Sequence, residues 1–211
     1  MLTPDKASAL LAEYGEGAAW TQHCVAVADA AVRVGARLGP QQAAEVDLEA
    51  LWSAALLHDI GRYVTHHPIL HGLEGYALLM DLGHEEEAYV CASHILFGLH
   101  ADEAEHFGMP ACDFLPRTTA ERLVPLVDYL IEVDTPTTLN RRFASLRERN
   151  AENAFFLARL DRAQAAARTF MDELEANMGQ SVESIVASPS ASAVVRSVAT
   201  NPEDAWTPKQ A

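Results

Sequence analysis

The stretch AALLHDIGR, residues 54–62, places adjacent histidine and aspartate side chains at the end of an apolar run. The spacing of alanine and leucine predicts a buried helix, and His58 and Asp59 follow it directly. Burying these two groups without partners is costly. A bound metal ion satisfies both, since imidazole nitrogen and carboxylate oxygen are common ligands of first-row metals. Further ligands to the same metal ion are therefore expected elsewhere in the chain.

Composition and charge describe a globular chain with an acidic surface. The 211 residues contain 49 % hydrophobic and 21 % charged side chains, enough for one domain with its own core. The formal net charge is −15, so the surface repels polyanions and makes nucleic acid and anionic membranes poor partners. Four arginines within residues 141–149 are the exception, and we interpret them as a solvated helix face.

Cysteine usage and the N-terminal residues predict a cytoplasmic protein. Cys24, Cys91 and Cys112 form no CxxC pair, and an odd number of thiols fits a reducing compartment. The N-terminus lacks the charged-then-apolar pattern of a signal peptide. No apolar run reaches the roughly 18 residues of a membrane span. We therefore expect a soluble protein without a membrane partner.

Helical periodicity dominates the chain, whereas sustained period-two alternation is nearly absent. The pattern predicts an all-α, single-domain helical bundle over residues 1–179 and a mostly disordered tail over residues 180–211. Helices are predicted at residues 5–14, 18–38, 48–59, 71–82, 85–96, 119–131, 139–149 and 153–178. Gly61 is expected to end the third helix in the left-handed conformation.

Four of the predicted helices bring an ionisable side chain to an inward face. A single histidine on an apolar face is more often a hydrogen-bonded core residue, and a single inward aspartate is more often a cap or an ion-pair partner. Both interpretations weaken when such residues recur in one helical chain with few cations to pair them. The inward residues are His23, the pair His58-Asp59, His94 and Asp128, and His71 begins a fifth helix.

The order of these residues resembles the HD superfamily of metal-dependent phosphohydrolases, and more narrowly its small HDIG-type members. The motif begins as HDIGR at residues 58–62 and continues with Thr65-His66, His71, Gly75, His94 and Asp128. The likeness extends to GMP at residues 108–110 and DFLP at residues 113–116. The resemblance implies an HD-type helical bundle with a metal site at its centre.

The resemblance also implies which side chains hold the metal. The core set would be His23, His58, Asp59 and Asp128. In members with two metals, two more histidines precede the final aspartate, and His71 and His94 stand at those places. Asp59 would then bridge one ion to the other and orient the attacking water. One or two divalent ions are expected, and Mn, Fe, Co, Ni and Zn all suit this donor set.

Two further residues are predicted to bind substrate. Arg62 follows the metal pair and is suited to clamp a phosphate through its guanidinium fork, although it could equally stabilise a helix C-terminus. His66 could contact substrate or equally be an exposed loop residue. The segment at residues 96–116 is long and follows His94, which makes it the predicted substrate cover.

The reaction implied by the resemblance is hydrolysis of a small phosphomonoester or phosphodiester, of the nucleotide or cyclic phosphate type, by a metal-activated water. No GxSxG, Walker A or GxGxxG motif points to another mechanism. Two alternatives stay open. One is a mixed-valence di-iron oxygenase, as some HD-fold members are, and the other is a non-catalytic metal-binding regulatory domain. The sequence also leaves the oligomeric state open.

Overall fold

A short central helix carries the stretch of sequence from which the prediction started. In the computed structural model, which describes residues 1–189, this helix spans Leu48–Leu57. It begins at Asp47, whose side chain accepts hydrogen bonds from the backbone N–H groups at positions 49 and 50. Seven of its ten residues are buried. Its C-terminal end therefore lies inside the protein, and His58 and Asp59, which follow it, are 0 % and 1 % exposed.

The described residues form eleven α-helices, two 3₁₀ turns and one small hairpin, which confirms the predicted all-α class. The helices are α1 (Pro4–Gly15), α2 (Trp20–Gly35), α3 (Pro40–Ala43), α4 (Leu48–Leu57), α5 (Leu70–Asp81), α6 (Glu85–Ser93), α7 (Ala101–His106), α8 (Thr119–Asp128), α9 (Leu139–Arg149), α10 (Ala154–Met178) and α11 (Val182–Ala187). The 3₁₀ turns are Ile60–Tyr63 and Ile95–Phe97, and the antiparallel strands are β1 (Ile131–Glu132) and β2 (Thr135–Pro136).

Helix α4 packs against α1, α2, α6 and α8. Helix α5 packs against α6 and against the 3₁₀ turn that follows α4. Because α4 is apolar on nearly all sides, each of these helices can turn its own apolar face toward it. The inner ends of α2, α4, α5, α6 and α8 thus lie around one point of the core. Within residues 1–189, no helix is long and apolar enough to cross a membrane.

Gly61 does not adopt the left-handed conformation that the sequence predicted. It lies within the 3₁₀ turn Ile60–Tyr63, and its φ is not positive. A Cβ atom at this position would overlap the carbonyl oxygen of His71 and the amide nitrogen of Gly75. The glycine is therefore required because the chain after Asp59 approaches the backbone of α5 closely, not because a turn needs a positive φ.

Helix α8 ends at Asp128, three residues before its predicted end at residue 131. Ile131 instead pairs with Pro136 in the β1–β2 hairpin. The turn between the strands contains Val133, whose φ is +62°. Strands of two residues are too short to show period-two alternation, so the sequence pattern gave no sign of this hairpin.

The chain forms one more helix beyond the domain boundary predicted at residue 179. The apolar residues Val182, Ile185 and Val186 of α11 are buried. Arg33 of α2 donates a hydrogen bond to the carbonyl oxygen of Val186 at 3.0 Å. The predicted disordered tail is therefore wrong for α11, which is too short to be recognised by periodicity. The remaining residues 190–211 of the predicted tail lie outside the described part of the chain.

A buried carboxylate connects α7 to α10. Glu103 is 3 % exposed, and its two carboxylate oxygens accept hydrogen bonds from Arg162 at 3.0 and 2.8 Å. The backbone N–H of His100 donates a further hydrogen bond at 2.9 Å. Burial opposes ionisation of Glu103, but the hydrogen bonds and the nearby arginine charges outweigh it and lower the pKa of Glu103 to about 2.

We expect Glu103→Gln to destabilise the protein at neutral pH and to reduce its acid sensitivity. The pKa of Glu103 in the folded protein lies below its ordinary value of 4.5. Its stabilising effect is therefore complete above about pH 4.5. The effect is lost as the pH falls through about 2. Urea unfolding should therefore show a difference between wild type and variant that shrinks as the pH is lowered. A difference that is constant from about pH 6 to about pH 2 would contradict this role of Glu103.

Candidate metal centre

The six predicted metal ligands meet in one cluster at the centre of the fold. The four histidines and Asp59 are each 9 % exposed or less, and the side chain of Asp128 is 17 % exposed. His23 lies on α2, His58 and Asp59 follow α4, His71 lies on α5, His94 follows α6 and Asp128 ends α8. The cluster divides into two groups of donor atoms that share Asp59.

The first group, subsite 1, consists of His23, His58, Asp128 and one oxygen of Asp59. The Nε2 atoms of His23 and His58 lie 2.9 and 3.9 Å from Oδ1 of Asp128. The same two nitrogens lie 4.0 and 3.8 Å from Oδ2 of Asp59. Donor atoms about 2.0–2.2 Å from one metal ion lie roughly 3–4 Å from one another. These four atoms therefore have the spacing of ligands to a single ion.

The second group, subsite 2, consists of His71, His94 and the other oxygen of Asp59. The Nε2 atoms of His71 and His94 lie 2.8 and 3.5 Å from Oδ1 of Asp59, and 3.4 Å from each other. Two imidazole lone pairs that face each other at this distance repel unless a proton or a cation lies between them. Asp59 thus presents one oxygen to each subsite, which is the geometry of a bridging carboxylate.

Hydrogen bonds to backbone carbonyls fix the orientation of three of the histidine rings. In each case Nδ1 donates its proton to a carbonyl oxygen, so the Nε2 lone pair of the neutral ring faces the centre of the cluster. Metal-binding histidines are commonly oriented in this way. The bonds are from His23 to Val133 at 2.7 Å, from His58 to Ala55 at 2.7 Å and from His71 to His67 at 2.8 Å.

These three carbonyl groups were not identified from the sequence. A backbone acceptor carries no residue-type signal, and Val133 reaches His23 only through the β1–β2 hairpin, 110 positions along the chain. The carbonyl of Ala55 is partly foreseeable, because it lies one turn before His58 on the same helix. The side chain of His67, in addition, accepts hydrogen bonds at 3.2 Å from the backbone N–H groups of Ile69 and Leu70, where α5 begins.

The electrostatics of the cluster favour the metal-binding protonation states of His58, His71 and both aspartates, but not that of His23. Burial lowers the pKa of His58 to about 4 and also lowers the pKa of His71. Burial acts in the same direction on His23, but the hydrogen bond to Asp128 and the negative charges of Asp128 and Asp59 together outweigh it and raise the pKa of His23. Burial disfavours ionised Asp59, yet the neighbouring histidines hold its pKa well below its usual range. Both aspartates are therefore ionised at neutral pH.

The donor set fits a metal on one further observation. Nε2 of His58 is fully buried and has no hydrogen-bond partner among the described residues. Leaving such an atom without a partner is costly in a protein interior, and a metal ion between His58 and its neighbours would satisfy it.

A cavity of about 80 Å³ lies beside the cluster. Its wall contains the ligand residues His71, His94 and Asp128 together with Arg62, Pro68, Ile95, Leu96, Tyr129, Arg142, Leu146 and Phe156. Arg62 therefore lies where the sequence placed it, and its Nε forms an ion pair with Oδ2 of Asp59. Of the predicted substrate cover at residues 96–116, Leu96 belongs to this wall.

Two other expectations need correction. His66 is exposed and is not part of the cavity wall, so the structure does not place it with the cluster. Arg142 was predicted to belong to a solvated helix face, but its side chain is 13 % exposed and lines the cavity. Arg142 and Arg149 lie seven positions apart on one face of α9, so the sequence alone does not show that Arg142 and not Arg149 lines the cavity.

The chain belongs to the HD domain family, whose model matches residues 20–166 and so includes all six residues of the cluster. An uncharacterized protein of Methanocaldococcus jannaschii is 39 % identical over 111 residues, covering 52 % of this chain and 64 % of that protein. Two proteins named tRNA (cytidine(56)-2'-O)-methyltransferase are also similar. The one from Picrophilus torridus is 28 % identical, covering 51 % of this chain and 32 % of that protein. The one from Thermoplasma volcanium is 27 % identical, covering 69 % of this chain and 41 % of that protein.

The chain thus spans less than two thirds of the length of each of these relatives. No solved structure gives a significant match. The family membership confirms the resemblance seen in the sequence and places the chain in a metal-dependent, hydrolase-type family with side chains able to hold a metal.

Proposed function

We propose that the protein is a metal-dependent phosphohydrolase that acts on a small phosphorylated substrate. The observation that carries the proposal is the preorganised cluster, in which three imidazole rings are fixed by backbone carbonyls and Asp59 presents one oxygen to each subsite. Such preorganisation is what metal-dependent hydrolysis requires of a protein.

In this proposal each subsite holds one divalent transition-metal ion. Subsite 1 would use His23, His58, Asp128 and Asp59, and subsite 2 would use His71, His94 and Asp59. Mixed nitrogen and carboxylate donors suit Mn, Fe, Co, Ni or Zn better than Ca or Mg. When bound, such ions lower the pKa of water and offset negative charge on phosphoryl oxygens.

The residues of the chain itself position the substrate and exclude other nucleophiles. Arg62 is held by Asp59 through Nε, while its terminal nitrogens make no hydrogen bond within residues 1–189 and are free to bind phosphoryl oxygens. Among residues 1–189, no serine or cysteine lines the cavity. Burial raises the pKa of the Cys24 and Cys91 thiols well above their ordinary value, which makes both poor nucleophiles. Water is therefore the nucleophile.

A small substrate fits the site better than a nucleic acid polymer. The cavity of about 80 Å³ is narrow, and the formal charge of −15 repels polyanions. The tRNA named in the two methyltransferase relatives does not enter the proposal, because the match covers 32 % and 41 % of those proteins. The three free cysteines agree with a cytoplasmic location.

The proposal is tested by metal analysis of protein purified without chelator, followed by assays of a phosphoester panel with Mn, Fe, Co, Ni or Zn added. We expect bound transition metal and hydrolysis of at least one ester. Oxygen consumption with a phosphonate or polyol would favour the di-iron oxygenase instead. Metal binding without turnover of any tested compound would favour a regulatory domain, and absence of bound metal would contradict all three.

Arg62→Ala is expected to lower kcat/KM by roughly 10- to 100-fold, mainly through a higher KM. The substitution removes a guanidinium from the cavity wall but leaves all six ligand residues of the two subsites in place. Metal content should therefore equal that of wild type. Steady-state kinetics and metal analysis on the same preparation check both statements, and an unchanged KM would show that Arg62 only caps the end of its helix.

A further inference from the structure

We infer that Arg142 binds the phosphoryl group of the substrate together with Arg62, and that the site therefore selects phosphomonoesters over phosphodiesters. The inference rests on the proposed function and names the substrate class of that same site.

Arg142 is a nearly buried cation with incomplete pairing. Its side chain is 13 % exposed and lines the same cavity wall as Arg62, His71 and Asp128. Its Nε is buried and has no hydrogen-bond partner within residues 1–189. This nitrogen has almost no accessible surface, but the terminal nitrogens of Arg142 also make no hydrogen bond within residues 1–189. These terminal nitrogens are the donors that remain for an anion in the cavity.

The acidic neighbour of Arg142 does not neutralise it fully. Oε1 of Glu132 lies 3.6 Å from NH1 of Arg142, which is longer than a hydrogen bond. The same oxygen lies 3.5 Å from NH2 of Arg149 and accepts a hydrogen bond from the hydroxyl of Ser145 at 2.8 Å. One carboxylate therefore faces two arginines on the α9 side of the cavity. Asp128, a predicted metal ligand, is the other carboxylate near Arg142.

The charge and the size of the cavity together favour a monoester. A phosphomonoester is a dianion near neutral pH, with three terminal oxygens and one organic substituent. A phosphodiester is a monoanion with substituents on two sides of the phosphorus. Two guanidinium groups complement the dianion better. The volume of about 80 Å³ accommodates a phosphoryl group but lies well below the roughly 300 Å³ or more of pockets that enclose whole ligands.

The organic substituent would then lie at the mouth of the cavity. Leu146 and Phe156 contribute apolar surface to the wall on the side of α9 and α10. A diester would carry a second substituent that must also fit in or beside a cavity of about 80 Å³. Cavity size and the charge of Arg142 thus both favour the monoester.

The test compares wild type with Arg142→Gln and with Arg141→Gln as a matched control. Arg141 is exposed on the same helix, and its side chain makes no hydrogen bond within residues 1–189. With metal-loaded protein, we expect wild type to hydrolyse p-nitrophenyl phosphate with a kcat/KM at least about tenfold above that for bis(p-nitrophenyl) phosphate. Arg142→Gln should lower kcat/KM for the monoester by roughly 10- to 100-fold, mainly by raising KM. The kcat/KM for the diester should fall by a smaller factor.

A second measurement does not depend on turnover. Titration calorimetry with inorganic phosphate should show a dissociation constant raised by about tenfold or more in Arg142→Gln, with unchanged metal content and an unchanged value in Arg141→Gln. Arg142→Lys keeps the positive charge but lacks the forked guanidinium group, so its dissociation constant for phosphate should lie between those of wild type and Arg142→Gln. This variant also serves as the test if Arg142→Gln does not fold.

The outcomes separate the inference from the function on which it rests. Preference for the diester in wild type, or phosphate affinity unaffected in both Arg142 variants, would overturn the inference while phosphohydrolase activity stands. Wild-type protein that binds metal but hydrolyses neither ester would instead contradict the proposed function. In that case the phosphate titration still decides whether Arg142 binds the anion.

Discussion

Replacing Asp59 by alanine is expected to abolish metal binding at both subsites and to lower turnover by more than about a thousandfold, or ~4 kcal/mol. The reason is that Asp59 contributes one carboxylate oxygen to each of the two subsites. Oδ2 of Asp59 lies 3.8 Å from Nε2 of His58 in subsite 1, and Oδ1 lies 2.8 Å from Nε2 of His71 in subsite 2. Removing one carboxylate therefore takes a donor from both groups, whereas loss of any one histidine affects a single group.

Metal analysis and steady-state kinetics on the same preparation measure this result. Asp172→Ala is a suitable control, since Asp172 is exposed on α10 and lies outside the cavity wall. Asp59→Asn keeps the shape but removes the charge and should also lose metal. Circular dichroism must show that the variants retain their helices. Full activity of folded Asp59→Ala would refute the two-subsite mechanism.

Gly61→Ala is expected to lower the free energy of unfolding by roughly 3 kcal/mol or more. The added Cβ would overlap the backbone of α5 at His71 and Gly75. Backbone atoms cannot move aside as the end of a flexible side chain can, so α5 must shift away from the turn after Asp59. For a chain of this length the loss corresponds to about 6–12 °C in the melting temperature. His71 would move with α5, so metal binding at subsite 2 should weaken as well.

Thermal and urea unfolding of the metal-free protein measure the effect on the fold alone. Gly39→Ala is the matched control, because a Cβ at Gly39 would lie 3.8 Å from the carbonyl oxygen of Asn177, an ordinary van der Waals contact. We expect that variant to differ from wild type by no more than about 0.5 kcal/mol. Equal stability of both variants would show that α5 can move away from Gly61 at little cost.

The sequence predicted the helices well where their signals are local. Asp47 and Thr118 each precede an apolar helical run, which is the sequence signal of an N-cap, and their side chains do cap α4 and α8. The glycine that ends α10, Gly179, has the left-handed conformation that its position suggests. Gly61 has the same sequence context, an apolar helix followed by glycine. There, however, the glycine is needed because the backbone of α5 lies too close for a Cβ atom. Local patterns do not distinguish these two uses, because the second depends on what packs against the residue.

The sequence alone determined the all-helical class and the ordered set of histidine and aspartate residues that the structure brings together. The class follows from 3.6-residue periodicity, and the inward places of most of these residues follow from polar residues on apolar helix faces. Their grouping as one ligand set, with His71 included, followed from the resemblance to the HD superfamily. Only the tertiary structure decided that one oxygen of Asp59 faces each group, that the carbonyl of Val133 orients His23, and that Arg142 lines the cavity. These arrangements depend on contacts between residues many helices apart, and no local pattern encodes the packing that creates them.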